Sequence, residues 1–377
     1  MTDGDSRQDI GQLLWFGFPG PEVTPSLRAK LDAGEIGATI VFKRNLVVEA
    51  VTANGLTQEV TDIDALVALN AELHRAAPDG TPALIAVDYE GGTVQRVRAP
   101  ATHWPPMLAH DAHEPAAAEI YSEQIGKMLG LEIRAMGFDI DFAPVLDIHT
   151  NAANPIIGKR AFGTTADTVA RRALAFARGL DEAGVLACGK HFPGHGDTTT
   201  DSHLELPRID HSWERLAAVE LEPFARAAKA KLPMIMTAHV VFAALDATRP
   251  ATMSQKVVTG VLRDRLGYDG VIVSDDLDMN AIAEHMDVGV AAVAAIRAGC
   301  DVLLLCRRED HQAIAEEALI REVEKDAGFR ATVGVAAQRV RAMKKAHVAN
   351  QAARPAPGRD VIGSFEHRKL ADRLAGR

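Results

Sequence analysis

The chain has 377 residues, a formal net charge of -10 and 47% apolar residues, with few aromatics. That describes a water-soluble globular protein with ample core. It argues against nucleic-acid binding as the main task, because phosphate neutralisation needs clustered Lys and Arg and none stands out. The acidic, polar start Met1 to Asp9 and the short apolar stretch Leu13 to Phe18 suit neither a signal-peptide core nor a spanning helix. A cytoplasmic protein with no membrane association is the expectation. The three cysteines, Cys188, Cys300 and Cys306, lie in or beside apolar runs and read as reduced core thiols.

In chain order, apolar runs occur at Leu13 to Phe18, Ala38 to Phe42, Ala83 to Val87, Ile140 to Val145, Val185 to Cys188, Met234 to Ala238, Val271 to Val273 and Val302 to Leu305. Most are uniformly apolar rather than alternating, as parallel strands covered on both faces require. Helical patterns fall between them, at Thr61 to Ala76, Ala116 to Met136, Thr168 to Ala183, Trp213 to Ala228 and Met279 to Ala298. Past Cys306 the pattern stays helical to about Val348. Ala352 to Gly358, with Pro355 and Pro357, breaks it before a last amphipathic segment. The expectation is one α/β domain, a (β/α)8 TIM barrel over residues 1–350, with a helical C-terminal tail over 351–377. The tail packs on the barrel exterior or mediates self-association, and the chain is a monomer or a weak homo-oligomer. The rival architecture is a doubly wound open sheet. Polar residues after many strands favour the barrel: Asp88, Lys190, His191, His239, Asp275 and Asp276 each follow an apolar run.

The densest chemistry lies in Lys190-His-Phe-Pro-Gly-His-Gly-Asp-Thr-Thr-Thr-Asp-Ser-His203, which follows an apolar run. Gly194 and Gly196 let the chain bend there. Asp201 and His203, two apart, can form a dyad in which the carboxylate orients the imidazole for proton transfer near neutral pH. An Asx-type turn with an exposed histidine is the plainer reading. Lys190 and His191 suit hydrogen bonding to substrate hydroxyls, with His195 holding the loop together. A metal site is the minor alternative, since the chain has no His-x-His and no His-Glu-x-x-His. Nothing calls for a cofactor.

Asp275, at a strand exit, can attack an electrophilic carbon as the nucleophile of a retaining glycosidase does. Alternatively, Asp275 or Asp276 caps a helix beginning near Leu277. Asp88 and Arg96 flank Gly91 and Gly92 on another strand-end loop and offer an acceptor and a fork of donors for sugar hydroxyls. Glu90 and Arg96 pairing with each other is the bland reading. Arg160, on a loop stiffened by Pro155, binds substrate or a neighbouring carboxylate.

Taken together, Lys190 to Thr198 with Asp201-Ser-His203, Asp88-Tyr-Glu-Gly-Gly with Gln95-Arg96, Ile157-Gly-Lys-Arg-Ala-Phe-Gly163 and Ser274-Asp-Asp-Leu277 resemble glycoside hydrolase family 3. The nearest branch is its bacterial β-N-acetylglucosaminidases, or β-N-acetylhexosaminidases, of peptidoglycan recycling. The likeness runs from the first apolar run to Cys306. It implies that Asp275 is the nucleophile of a two-step retaining reaction and that His203, oriented by Asp201, is the general acid and base. It further implies that Asp88, Arg96, Arg160, Lys190 and His191 hold the sugar. The implied substrate is a terminal β-linked N-acetylglucosamine on a muropeptide or disaccharide, with no metal or cofactor. A metal-dependent barrel hydrolase, a family 3 β-glucosidase or phosphorylase, and a silent sugar sensor are the rivals. Thr93 and Tyr89 depart from the branch, which often has arginine and glutamine at these places.

Overall fold

The computed structural model describes residues 3–53, 56–199 and 206–376. Eight parallel strands close into a barrel in chain order: β1 (Leu14–Gly17), β2 (Ala38–Val41), β3 (Leu84–Val87), β4 (Ile140–Asp141), β5 (Leu186–Phe192), β6 (Met234–Thr237), β7 (Val271–Asp276) and β8 (Val302–Leu305). Leu14, Trp15 and Phe16 pair with Leu303, Leu304 and Leu305 to seal the ring. Every expected strand is present, and the open-sheet alternative is excluded by this closure.

The strands are apolar throughout because both faces are covered. Trp15, Ile40, Ala86, Ile140, Met236 and Leu304 pack with one another inside the ring, while their neighbours Phe16, Val41, Ile85, Val87, Ile235 and Leu305 join the outer core under the helices. At the N-terminal end of the strands the long helix Ala327–Ala352 lies across the opening. Its Val340 packs into the interior cluster. Its buried Lys344 donates from Nζ to the Gln12 side chain (2.7 Å), Gly37 O (2.6 Å) and Pro82 O (3.0 Å). Beside it, Asp139 accepts from His74 and His347.

Two expected helices are each divided. Trp213 to Ala228 forms Trp213–Ala218 and Glu222–Lys229, the second opened by Pro223 in its first turn, where the missing N–H costs nothing. Met279 to Ala298 forms Asn280–Ala283 and Val288–Ala298. The latter is capped by Asp287, which accepts from Gly289 N and Val290 N. Neither Asp275 nor Asp276 caps a helix, because β7 runs through both. Two small hairpins were not foreseen, Val48–Ala53 with Leu56–Thr61 and Tyr89–Gly91 with Val94–Gln95. The chain breaks after Ala352 as expected and ends in Phe365–Leu374. That last helix is pinned to the exterior where buried Glu132 accepts from Gly363 N (2.9 Å) and meets His367 Nδ1 (2.8 Å).

Candidate active site

A cavity of about 350 Å³ opens at the C-terminal ends of the strands. Asp88, Arg96, Arg160, Lys190, His191 and Asp275 all line it, so all of the expected site residues that the structure describes come together there. Asp201 and His203 lie outside the described residues.

A charge network forms one wall. Lys190, at the end of β5, reaches Glu90 Oε1 (2.6 Å) and Asp88 Oδ1 (3.0 Å). Arg160 makes a bidentate pair with Glu90, Nε and Nη2 each at 2.8 Å. Arg96 donates to Asp88 Oδ2 (2.9 Å). The bland alternative, a Glu90–Arg96 pair, is not formed: barrel closure brings Glu90 against Arg160 and Lys190 instead, and Arg96 turns to Asp88. Burial alone would raise the Asp88 carboxyl, but Lys190 and Arg96 outweigh it and hold the group well below the usual carboxylate range. Likewise burial lowers Lys190, and Glu90 and Asp88 reverse that, so the ammonium is kept. The hairpin carrying Asp88 and Glu90 turns through Gly92, whose φ of +59° suits glycine. Tyr89, one of the two unusual positions, is fully buried and accepts from Gln95 through its hydroxyl, so it serves the loop's core. Thr93 is exposed.

A second wall is built on Asp147, which the sequence reading missed. Its Oδ2 accepts from His191 N (3.1 Å) and meets His191 Nδ1 (2.6 Å), and its Oδ1 accepts from His195 N (2.6 Å). Against the burial that would raise it, these groups hold the carboxyl below its ordinary value. With Nδ1 committed to Asp147, Nε2 is the His191 nitrogen available to a ligand. Asp147 follows the apolar run ending at Val145 by two residues, so the strand-end rule that selected Asp88 and Asp275 also reaches it. His195 meets Thr198 Oγ1 (2.8 Å), and burial, with His191 adding to it, pushes its pKa down to about 4. It is neutral at neutral pH and ties the loop together, as expected of it. Gly196 permits that packing, since a Cβ there would sit 1.7 Å from Ile148 O.

Asp275 faces these walls from the end of β7, where its Oδ1 accepts from Asp276 N (2.8 Å). Asp276 also lines the cavity, and its Oδ1 accepts from Cys306 N (3.0 Å) and Asp278 N (3.1 Å). His239, another strand-end residue, bridges Thr252 Oγ1 (2.9 Å) and Asp276 O (3.0 Å) and so fixes this main chain. Burial, then Asp278, push the Asp276 carboxyl up to about 7 from 3.8. The folded protein therefore holds a proton that the unfolded chain gives up between about pH 4 and 7. The stability this adds is complete at the acid end and lost as pH rises through about 7. Asp276→Asn, which keeps the Oδ1 acceptor, is expected to melt on the order of 5 °C above the parent at pH 8, with the gap closing near pH 4. Thermal melts across that range check it, and a pH-independent gap would reject the assignment.

A parallel barrel whose mouth sets a carboxylate opposite a cage of paired cations and carboxylates defines a barrel enzyme built for a hydroxyl-rich ligand. Among the described residues no group of three or more His, Cys, Asp or Glu side chains could hold a metal ion. The family model described as glycosyl hydrolase family 3 N terminal domain matches residues 6–343, and the chain belongs to that family. It is 39% identical over 304 residues to a β-hexosaminidase of Methylococcus capsulatus, covering 81% of this chain and 85% of the relative. Among solved structures it resembles a family 3 β-N-acetylglucosaminidase from Paenibacillus sp. (37% identity, TM-score 0.86, 98% of this chain and 68% of the other). It also resembles NagZ from Neisseria gonorrhoeae in complex with N-trifluoroacetyl-D-glucosamine (32% identity, TM-score 0.75, 97% of each chain).

Proposed function

We propose that this glycosidase is a retaining β-N-acetylhexosaminidase that removes terminal nonreducing β-linked N-acetylglucosamine from muropeptide fragments in the cytoplasm. The observation that carries the reading is the single cavity in which Asp275 stands opposite Asp88, Arg96, Arg160, Lys190 and His191. Relatives named β-hexosaminidase and a solved neighbour holding an N-acylated glucosamine support the choice of sugar.

In this reaction an Asp275 oxygen attacks the anomeric carbon as the glycosidic C–O bond breaks, and His203, oriented by Asp201, gives its proton to the departing oxygen. Water then attacks the same carbon, His203 takes the water proton, and the Asp275 carboxylate leaves. Two inversions return the β configuration. The wall around Lys190 and Asp88 supplies both donors and acceptors, matching hydroxyls that are both.

The test is hydrolysis of an aryl β-N-acetylglucosaminide beside the matching β-glucoside, with chelator present. Turnover of the first with at least about tenfold preference is expected. Equal use of the glucoside would point to a β-glucosidase, and loss to chelator to a metal enzyme. Release of N-acetylglucosamine from a muropeptide digest checks the finer substrate. Full activity of His203→Ala on a substrate with a poor leaving group would sink the acid–base assignment.

A further inference from the structure

The sugar-facing groups leave one part of the same cavity unexplained. Arg44, which follows β2, and Arg307, which follows β8, line its opposite side across the closing strands β8, β1 and β2. Both are solvent-facing, whereas Glu90, Lys190 and His191 are buried. The two arginines therefore stand nearer the open end of the cavity, and Lys190 and His191 nearer its blind end.

The cations of the blind end are bonded to Asp88 and Glu90, whereas among the described residues neither guanidinium at the open end is bonded to a carboxylate. Arg44 is held by neutral main-chain carbonyls, its Nε on Phe18 O (2.8 Å) and its Nη2 on Cys306 O, and its guanidinium lies 4.5 Å from the centre of the Phe42 ring. The Arg307 main-chain N–H donates to Asp278 (2.8 Å), while its guanidinium has no hydrogen-bond or ion-pair partner among the described residues. Two acids, Asp276 and Asp278, lie near enough to favour the Arg44 charge, but neither is bonded to a guanidinium of this pair among the described residues. Asp278 is buried and engaged by His311 and by the main-chain N–H groups of Arg307 and Arg308. Asp276, which also lines the cavity, accepts from two main-chain N–H groups.

Two guanidiniums side by side, one fixed on an aromatic ring and one without a partner, form a receptor for a carboxylate or phosphate. We infer that Arg44 and Arg307 bind an anionic group on the part of the substrate that departs, close to the scissile bond, so that the enzyme selects substrates whose leaving portion is negatively charged. This rests on the exo-acting reading above. A terminal sugar fills the blind end, and what it is attached to must pass out between these arginines.

The test uses two aryl β-N-acetylglucosaminides with the same ring, one bearing a carboxylate and the other the corresponding carboxamide. The ratio of their kcat/KM values is measured for the full-length protein and for Arg307→Ala, Arg307→Lys and Arg307→Glu. Comparing ratios between proteins cancels the intrinsic reactivity of the two leaving groups. The carboxylate-to-carboxamide ratio is expected to fall at least about fivefold in Arg307→Ala, less in Arg307→Lys and further in Arg307→Glu, and in the parent to fall with added salt. A ratio indifferent to residue 307 while both substrates are cleaved overturns the anion site and leaves the glycosidase reading standing. Failure of the parent to cleave either substrate overturns that reading itself.

Discussion

Asp275→Asn is expected to lower kcat/KM on an aryl β-N-acetylglucosaminide by at least about 10³-fold with little change in melting temperature, because a neutral amide cannot form the glycosyl ester. The side chain is partly exposed at the end of β7, and the hydrogen bond it accepts from Asp276 N can also be made to an amide oxygen. The smaller variant Asp275→Ala carries a sharper test. With azide present, turnover is expected to recover and the product to be the α-glycosyl azide. One inversion then replaces two, since the azide enters from the face that the aspartate occupied. A β-configured azide, or an Asp275→Asn variant within about tenfold of the parent, would remove Asp275 from the nucleophile's role.

The second large effect is expected at Glu90. This carboxylate is 3% exposed and holds two cations, Arg160 through both oxygens and Lys190 through one. Glu90→Gln leaves both cations in place while Asp88, already shared with Arg96, is the remaining carboxylate within reach of Lys190. Breaking a buried pair from one side costs about 3–5 kcal/mol, so the variant should melt several degrees lower and bind substrate more weakly. Calorimetry together with KM would show both. A variant as stable as the parent would mean that water enters and solvates the two cations, and Glu90 would then matter for position rather than for charge balance.

The barrel was legible in the sequence because parallel strands covered on both faces are written as unbroken apolar runs, and each run ends where chemistry begins. Asp88, Lys190, His191 and Asp275 could all be picked out by that rule. Pairing could not. Glu90 and Arg160 are 70 residues apart, and Lys190 and Asp88 are 102 apart, so only closure of the ring decides which charge meets which. The alternative Glu90–Arg96 pairing looked natural because those two are near in sequence, yet the loop turning at Gly92 delivers Arg96 to Asp88. Asp147 was overlooked because it sits between Leu146 and Ile148, two residues beyond its apolar run, with no glycine beside it. The divided helices hid for a local reason, since Pro223 and Asp287 are start signals placed inside what reads as one continuous amphipathic pattern. The hairpin Val48–Ala53 and Leu56–Thr61 carries Glu49, Thr52, Gln58 and Glu59, too polar to read as strand.

The helix Ala327–Ala352 gives the ring a floor. Val340 fills the lower interior, and Lys344 ties the helix to Gly37 O and Pro82 O near the starts of β2 and β3. The vessel so made is a cup, with a doorway at the rim where the cavity opens. On the proposed reaction, traffic through that doorway is ordered. The departing portion, lying outermost, leaves first, water follows it in, and the freed sugar, seated deepest, is the last to go. Free N-acetylglucosamine then occupies the place that the next substrate needs, so it competes directly with substrate and ties the pace of turnover to the removal of its own product.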